Sequence, residues 1–223
     1  WFLALFRWKV PIINKLPLIG IYGGTFDPIH YGHLRIAEEL CDTIGLQKIF
    51  FVPSGLPRLR QIPAASREHR AAMVRLAIQD NPRFELDTRE INRTGVTATV
   101  QTLREYQHEA RTDAAFCFIL GIDAFIKIDQ WTEWLELFNL CHFIIVARPG
   151  FASLTETQQF PDDVQHEFLS RRTAKVSDLA LQSSGFIYTA QTSMLDISAS
   201  QIRTLLSTGK SIRYLLPEKV HNY

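Results

Sequence analysis

Cysteine is scarce in this sequence, and neither an excess of charge nor an apolar run of membrane-spanning length is present. The three cysteines, Cys41, Cys117 and Cys141, lie far apart and form no Cys-x-x-Cys pair. They make no disulfide framework and suit a reducing compartment, so we expect a cytoplasmic protein. The formal net charge is only +1 at pH 7. This balance provides no basic field for nucleic-acid binding and favours a small-molecule partner.

The N-terminal stretch WFLALFRWKVPIINKLP differs from the rest of the chain. Its apolar run is interrupted by Arg7 and Lys9, too early for a membrane span, and it lacks the small-residue cleavage site of a signal peptide. Pro11 and Pro17 argue against one continuous helix. We therefore predict that residues 1–17 are a leader outside the fold, arising from an upstream translation or a misplaced start. The alternative is an extra docked segment.

Apolar runs alternate with helical periodicities over the predicted domain, residues 18–223. Strands are predicted at residues 18–22, 48–53, 83–87, 114–121, 142–150 and 185–190. Helices are predicted at residues 31–44, 66–78, 99–110, 131–138, 164–171, 197–209 and from 216 onward. Strands that alternate with helices predict an α/β fold with a Rossmann-like, doubly wound parallel sheet.

The loop after the first strand, GGTFDPIHYGH, combines two glycines, a carboxylate and two imidazoles. Gly23 and Gly24 would let backbone N–H groups approach an anion, because no Cβ stands in the way. The helix that begins near Tyr31 directs its positive end to the same place, and His30 and His33 add hydrogen-bond donors. In doubly wound sheets, ligands bind beyond the carboxyl ends of the strands. The loop therefore predicts a phosphate site.

Other interpretations of this loop stay open. It contains neither the GxGxxG pattern nor the Walker A pattern, and two surface histidines beside a glycine turn are the plainest alternative. His30 and His33 are three residues apart, which would suit zinc, but no third ligand has a telling spacing, so no metal site built by the protein is predicted. Asp27 would order the loop or help to hold a hydrated metal ion through water.

A second polar cluster, ISASQIR, lies near the end of the chain. It places Ser198 and Ser200 at a helix start, with Arg203 one turn further on. Hydroxyl groups and free N–H groups at a helix start can receive phosphate oxygens, which an arginine can clamp. A plain serine cap with a solvated arginine is the alternative, and the cluster alone favours it.

Together, the two clusters resemble the nucleotidyltransferase superfamily marked by an HxGH signature and an ISxTxxR-like signature. Within it, the chain from about residue 20 to the end is similar to the bacterial nicotinate-nucleotide adenylyltransferase family. The segments ILGIDAF, IDQWTEWLEL and VARPG agree with that family's pattern. The resemblance implies a single nucleotidyltransferase domain that transfers AMP from ATP to nicotinate mononucleotide, with Mg²⁺ accompanying ATP. The products would be nicotinate adenine dinucleotide and pyrophosphate, in a step of NAD biosynthesis.

The resemblance also implies roles for individual residues. Three residues would be catalytic and contact the phosphates of ATP: His30, His33 and Arg203. The ATP-binding residues would be Gly23, Gly24, Thr25, Gly121, Asp123, Arg148, Ser198 and Ser200, with Gly121 and Asp123 at the ribose and Arg148 near the adenine. The nicotinate mononucleotide site would consist of Thr97 and Thr99, through backbone donors, and of Trp131, stacked on the pyridine ring. A tryptophan in an apolar helical stretch is usually a core residue, so Trp134 and Phe138 are expected in the core.

The sequence departs from the family pattern at several positions. Arg58 and Leu59 stand where the family's P-x-x-x-P-P-H-K segment has its second consecutive proline and its histidine. Ala98 replaces the tyrosine of S-Y-T, and Ser200 replaces a threonine. We still expect nicotinate to be preferred over nicotinamide mononucleotide, because backbone donors suit a carboxylate. Glu90 is the nearest acidic residue upstream, and the sequence does not place its side chain.

Two other functions remain open at this point. Pantetheine-phosphate adenylyltransferases perform the same chemistry on another acceptor, but they are shorter and lack the tryptophan and Arg-Pro-Gly segments in this form. A non-catalytic nucleotide-binding protein on the same fold is supported by the altered segment at Arg58 and Leu59. Retention of His30, His33 and Arg203 argues against the second alternative.

Overall fold

The structure, a computed structural model, describes residues 15–57, 62–109, 114–146, 160–193 and 195–223. Its strands are β1 (Leu18–Gly24), β2 (Lys48–Pro53), β3 (Leu56–Pro57), β4 (Phe84–Leu86), β5 (Val96–Thr97), β6 (Ala115–Gly121), β7 (His142–Val146), β8 (Arg172–Thr173) and β9 (Ile187–Ala190). Its α-helices are α1 (Tyr31–Ile44), α2 (Arg67–Ile78), α3 (Arg89–Asn92), α4 (Thr99–Glu109), α5 (Ile122–Phe125), α6 (Leu137–Leu140), α7 (Asp162–Arg171), α8 (Ala199–Ser207) and α9 (Glu218–His221).

The main sheet is parallel throughout and has the strand order β4-β2-β1-β6-β7-β9-β8. The chain first builds outward from β1 through β2 to β4, and then returns to add β6 on the other side of β1. The order therefore reverses between β1 and β6, which is where ligands of doubly wound sheets bind. The α/β, Rossmann-like fold predicted from the sequence is confirmed. A separate two-residue ladder joins β3 to β5 and was not predicted.

The core consists of two apolar layers, one on each face of the sheet. Neighbouring residues of β1 point to opposite layers, as the two-residue period of a strand requires: Ile21 packs in one and Tyr22 in the other. Helices α1, α2, α8 and α9 contribute to the layer with Tyr22, and helices α4 to α7 contribute to the layer with Ile21. Every residue of β7 is buried, as expected for a strand covered on both faces. Within the described ranges, no helix is long and apolar enough to cross a membrane.

The helix predicted around Trp131 and Phe138 is instead a series of short turns. Helix α5 is followed by 3₁₀ turns at Ile128–Gln130 and Trp134–Glu136 before α6. Glu133 lies between them with φ of 51°, in the left-handed region, which a continuous α-helix does not accommodate.

The boundary predicted after residue 17 can be examined only in part, because residues 1–14 lie outside the described ranges. The backbone N–H of Leu16 donates to the carbonyl of Ala180 across 2.9 Å, and the Pro17 carbonyl accepts from the N–H of Ala115 across 2.9 Å. Leu16 also packs against the core. These last residues before β1 are therefore part of the fold. That the rest of residues 1–17 is a leader stays a prediction.

Candidate active site

The two histidines of the first loop lie against each other at the start of α1. Their ring centroids are 3.8 Å apart, and the backbone N–H of His30 donates to Nδ1 of His33 across 3.3 Å. Because that nitrogen accepts a hydrogen bond, the proton of a neutral His33 ring lies on Nε2, which is then a donor. His30 is buried, whereas His33 is half-buried and packs edge-on against the ring of Phe26.

Gly32, between these histidines, is a site residue that the sequence analysis did not single out. A Cβ atom on Gly32 would lie 3.0 Å from the His30 ring and 3.4 Å from the carbonyl oxygen of Ile197. Glycine therefore allows the His30 ring to fold onto the first turn of α1 and allows the segment before α8 to approach the same turn. A glycine inside a helix costs about 1 kcal/mol relative to alanine, and the glycine of the HxGH signature was the available sequence signal.

Gly23 and Gly24 make room for aromatic rings. A Cβ on Gly23 would lie 2.9 Å from the Phe118 ring, and one on Gly24 would lie 2.8 Å from the Phe26 ring. These two rings thus fill the space where the Cβ atoms of Gly23 and Gly24 would lie, which the sequence had assigned to an approaching anion. The approach of an anion to the backbone N–H groups of this loop stays a prediction.

Asp27 orders the loop, as one of its two predicted roles requires. Its carboxylate oxygens accept from the backbone N–H groups of Ala64 at 2.7 Å and Ala65 at 3.1 Å. Its carbonyl oxygen accepts from Nη1 of Arg203 at 2.7 Å. Asp27 is buried, so its side chain joins the first loop to the segment that precedes α2.

Arg70 is a second functional candidate that the sequence did not reveal. Its guanidinium is almost completely buried and donates to the carbonyl oxygens of Thr25 at 2.7 Å, Ser54 at 2.7 Å and Gly55 at 3.2 Å. Burial lowers the pKa of this guanidinium, although the nearby charge of Asp27 opposes the shift. The group stays charged at neutral pH and fixes the loops that follow β1 and β2 relative to each other.

The C-terminal cluster meets the first loop at the start of α8. Ser198 caps the helix, because its Oγ accepts from the N–H of Gln201 at 3.1 Å while the Gln201 side chain reaches back to the Ser198 N–H at 3.5 Å. The Ser200 hydroxyl accepts from Nη2 of Arg203 at 3.2 Å. Arginine has five N–H donors, more than these bonds and the bond to Asp27 use.

Glu39, on the buried side of α1, connects that helix to the segment that precedes α8. Its carboxylate accepts from the N–H of Ser193 at 2.5 Å and from Nε of Arg35 at 2.6 Å. Burial raises the pKa of Glu39, but the hydrogen bonds from Ser193 and Arg35 outweigh it and hold the pKa below its ordinary value. A carboxylate buried in this way was not predicted, since α1 otherwise has the expected apolar face.

The residues predicted at the ribose follow β6, next to the first loop. Gly121 is the N-cap of α5, and a Cβ built on it would meet no heavy atom within 4 Å, so the space beside it is open. Asp123 is in the first turn of α5 and is half-buried. Arg148, predicted near the adenine, and the departures at Arg58 and Leu59 lie outside the described residues.

The predicted acceptor side also borders the first loop. Trp131 is half-buried and packs edge-on against Phe118, with ring centroids 6.0 Å apart and planes at 86°. The ring of Phe118 thus bridges Gly23 and Trp131. Ala98 packs against the same core layer as Trp131. As expected, Phe138 is buried in the core, and Trp134 is half-buried against it.

The threonines of the acceptor segment lie near an acid that the sequence could not place. Thr97 is buried in β5, and Thr99 begins α4. The carboxyl group of Glu90 accepts from the Thr102 hydroxyl at 2.8 Å, and the polar groups of the Thr97 side chain and the Gly55 backbone favour its charged form. An acid therefore lies beside the acceptor segment. Burial raises the pKa of Glu90, although these polar groups and Arg93 oppose the rise.

Among the side chains that the structure describes, no group of three or more His, Cys, Asp or Glu residues lies close enough together to hold a metal ion. The site is instead built from two helix starts, those of α1 and α8, with imidazole and guanidinium groups around them. Helix starts carry partial positive charge, so the arrangement suits phosphate groups.

This fold and candidate site occur in a chain whose sequence matches a family of nucleotidyltransferases. The model of the family described as cytidylyltransferase-like matches residues 21–205, and the chain is a member of that family. It is 40% identical over 205 residues to the probable nicotinate-nucleotide adenylyltransferase of Dechloromonas aromatica (strain RCB), covering 92% of this chain and 94% of the relative. It is 38% identical over 213 residues to a relative of the same description from Yersinia enterocolitica, covering 94% and 95% of the two chains. The chain therefore belongs to the nicotinate-nucleotide adenylyltransferase family.

Solved structures agree on the fold. The nicotinic acid mononucleotide adenylyltransferase of Plasmodium falciparum, solved in complex with NaAD, superposes with a TM-score of 0.66 at 20% identity, covering 92% of this chain and 93% of that one. The same enzyme in complex with APC gives a TM-score of 0.65 at 21% identity, with 93% and 94% covered. At this identity, the likeness shows the shared architecture alone.

Proposed function

We propose that this protein transfers AMP from ATP to nicotinate mononucleotide, giving nicotinate adenine dinucleotide and pyrophosphate in a step of NAD biosynthesis. The observation that carries the proposal is the bond from Arg203 to the Asp27 carbonyl, 2.7 Å long, which joins the two family signatures at one end of the sheet. It occurs in a chain that is 40% identical to a probable nicotinate-nucleotide adenylyltransferase over 92% of its length.

The chemistry requires alignment and charge neutralisation more than proton transfer. A phosphate oxygen of the mononucleotide attacks the α-phosphorus of ATP, and the bond from that phosphorus to the oxygen bridging to the β-phosphorus breaks. Pyrophosphate leaves with the bonding electrons as added negative charge. Since the attacking phosphate is already ionised, no strong base is needed, and donors fixed around the phosphates supply the rate enhancement.

The proposed phosphate contacts are His30, His33 and Arg203, together with the helix starts that they adjoin. His33 is suited to donate from Nε2, because its Nδ1 accepts from the His30 N–H at 3.3 Å. At the start of α8, Ser200 and Ser198 would supply hydroxyl or backbone donors, with Ser198 already acting as the cap. Gly23, Gly24 and Thr25 would contribute backbone contacts to ATP.

The adenosine half of ATP would lie beside β6. We assign Gly121 and Asp123 to the ribose, since open space adjoins Gly121 at the carboxyl end of that strand. Arg148 is assigned to the adenine on the family resemblance.

Mg²⁺ is proposed to arrive with ATP, and the side chains fit an ion carried by the phosphates. Both oxygens of the Asp27 carboxylate accept backbone N–H groups, which leaves this group suited to a contact through water. Mg²⁺ commonly keeps several waters and binds through one or two carboxylates plus substrate phosphates. When bound, it neutralises charge on the leaving phosphates.

The acceptor would bind between Trp131 and the segment from Thr97 to Thr99. Half-burial leaves part of the Trp131 ring accessible for stacking, while its edge contact with Phe118 keeps it in place. Backbone N–H groups of the threonine segment would hold the nicotinate carboxylate through charge-assisted bonds. The amide of nicotinamide presents an NH₂ donor that such a pocket leaves unpaired.

We place the protein in the cytoplasm. Its three cysteines are buried and unpaired, and burial raises the pKa of Cys41 to about 11 and that of Cys117 to about 12. Thiols in this state are inert and suit a reducing compartment.

Pyrophosphate release from ATP, measured with three acceptors in turn, tests the proposal. We expect the highest kcat/KM with nicotinate mononucleotide, above nicotinamide mononucleotide and 4′-phosphopantetheine. Activity only with phosphopantetheine would identify the pantetheine-type enzyme, and ATP binding without turnover would identify a non-catalytic binder. A preference for the amide would overturn the proposed acceptor.

His33→Ala serves as the active-site variant in this assay. Loss of one donor to developing phosphate charge typically costs about 100-fold or more in kcat. Because His33 is only half-buried, we expect its thermal unfolding to change little. Near-normal turnover would contradict the proposed role of His33.

A further inference from the structure

The carboxyl group of Glu90 lies at the centre of a small polar network beside the acceptor segment. Its Oε1 accepts from the Thr102 hydroxyl at 2.8 Å, and the polar groups of the Thr97 side chain and the Gly55 backbone favour its charged form. The nearest cation, Arg93, donates to the same Thr102 hydroxyl at 3.2 Å. Arg93 is itself paired in a bidentate manner with Glu105, at 2.7 and 2.8 Å.

The backbone of Gly55 packs tightly against the backbone of Glu90 and the side chain of Thr97. A Cβ on Gly55 would overlap the carbonyl oxygen of Glu90 and would lie 2.8 Å from Cγ2 of Thr97. The carbonyl of Gly55 is in turn held by buried Arg70 at 3.2 Å. Glu90 therefore connects the acceptor segment to the loop after β2, which Arg70 attaches to the first loop.

The strand pairing at this place is too short to fix the acceptor segment alone. The ladder of β3 with β5 pairs only Leu56 with Val96 and Pro57 with Thr97. Isolated two-stranded ladders are marginally stable even when longer. The side-chain bond from Glu90 to Thr102 adds a constraint, because it joins α3 to the first turn of α4, which follows β5 directly.

We propose that Glu90 is a positioning residue that holds the start of α4 through Thr102, and with it the backbone donors of residues 97–99, in the geometry that binds the acceptor. This inference rests on the proposed function, since it takes residues 97–99 as part of the mononucleotide site. Glu90 acts through Thr102 and does not touch the acceptor. Its hydrogen bond with Thr102 also directs one of its oxygens toward a protein donor, which limits repulsion of an acceptor carboxylate.

Two substitutions of Glu90 separate positioning from overall folding. Glu90→Ala removes the acceptor oxygens of the network, and we expect the KM for nicotinate mononucleotide to rise about 10-fold, with the KM for ATP changed less than about 2-fold. Glu90→Gln keeps one oxygen that can accept the Thr102 hydroxyl, and we expect it to restore most of the acceptor affinity, to within about 3-fold of wild type. The matched control is Glu85→Ala, which removes an exposed carboxylate of β4 paired with Lys48 at 2.7 Å.

The measurement is steady-state kinetics with each substrate varied, accompanied by thermal unfolding of each variant. An unchanged acceptor KM in folded Glu90→Ala, an equal rise of both KM values, or a failure of Glu90→Gln to recover affinity would overturn the inference. If Glu90→Ala does not fold, Thr102→Val removes the 2.8 Å bond with little change of volume, and a smaller rise confined to the acceptor KM is then expected. An acceptor KM equal to that of wild type would again overturn it.

The wild-type assay distinguishes this inference from the proposed function. If the wild type turns over nicotinate mononucleotide and the acceptor KM of Glu90→Ala equals that of the wild type, only the role of Glu90 is refuted. Wild-type protein that does not use a pyridine mononucleotide would refute both.

Discussion

Arg203 donates from Nη1 to the carbonyl oxygen of Asp27 across 2.7 Å, although 176 residues separate the two in the chain. The bond joins the first loop of the sheet to the last long helix. The Asp27 carboxylate accepts from the N–H groups of Ala64 and Ala65. Asp27 therefore connects the first loop, the segment before α2 and helix α8. In the proposed function, a guanidinium attached in this way is already oriented for phosphate, which lowers the cost of aligning the reactants.

Substituting Arg203 by lysine tests whether the fork of donors matters beyond its charge. Lysine keeps the positive charge but cannot span the Asp27 carbonyl, the Ser200 hydroxyl and a phosphate at once. We expect kcat to fall about 100-fold in Arg203→Lys. The unfolding temperature should change little, because the side chain is 40% exposed. Arg104→Lys, an exposed arginine paired with Glu133, is the control, and an equally small effect in both variants would contradict this role.

Gly32→Ala should separate activity from stability. Alanine favours the helix by about 1 kcal/mol, but its Cβ would meet the His30 ring at 3.0 Å. We therefore expect kcat to fall about 100-fold through displacement of His30, with a free energy of unfolding close to that of wild type. Gly20→Ala, whose Cβ meets core Ile49 at 2.9 Å, should show the opposite pattern: lower stability and nearly normal kcat. Chemical denaturation and single-turnover kinetics on both variants decide between these patterns.

Trp131→Ala should affect one substrate selectively. If the ring stacks on the pyridine, its loss costs about 1 kcal/mol or somewhat more of binding, so the KM for nicotinate mononucleotide should rise several-fold while that for ATP stays near wild type. Trp134→Ala is the matched control, because Trp134 packs edge-on against buried Phe138 at 6.1 Å and is expected to be structural. Equal changes for both substrates, or the same result in the two variants, would assign Trp131 to the core.

Sequence patterns correctly located the helices and strands that are determined by their own local residues. Helix α1 and strand β2 begin and end at the predicted residues, because an apolar face and an apolar run mark them directly. The helical region around Trp131 was mispredicted, because Glu133 adopts a left-handed conformation that its residue type does not indicate. Residues 58–61, where the family pattern changes most, lie outside the described ranges, so the effect of Arg58 and Leu59 stays open to experiment.

Site residues that belong to a sequence motif could be predicted. Site residues whose role depends on contacts with distant parts of the chain could not. The two signatures indicated His30, His33 and Arg203, and the structure brings the first loop and α8 together. Arg70 was not predicted, because it lies on the buried side of α2 with Ala71, Val74 and Ile78, where an apolar residue is expected. A buried arginine has no pattern of its own, since its acceptors are carbonyl groups of loops far along the chain.

His142, at the start of β7, supports a prediction about acid stability. The residue is fully buried, its Nε2 lies 3.0 Å from the Gln182 carbonyl, and its Nδ1 accepts from the N–H of Phe186 at 3.0 Å. This pattern requires the neutral ring protonated on Nε2, since a proton on Nδ1 would meet the Phe186 N–H. Burial lowers the pKa of His142 below its ordinary value of 6.5, although hydrogen bonds with Gln182 and Leu179 oppose the shift.

The sign of the pH dependence follows from this lowered pKa. Well above pH 6.5 the ring is neutral in both folded and unfolded chains, and it contributes no pH dependence. As the pH falls below 6.5, the unfolded chain takes up a proton that the folded chain refuses, so stability declines by at most about 1.4 kcal/mol per pH unit for this group. His142→Asn, which cannot titrate, should be less stable at pH 8 but should lose less on acidification. Urea unfolding of wild type, His142→Asn and the exposed control His166→Asn between pH 8 and pH 5 measures this difference; parallel curves for wild type and His142→Asn would show that His142 does not cause the acid sensitivity.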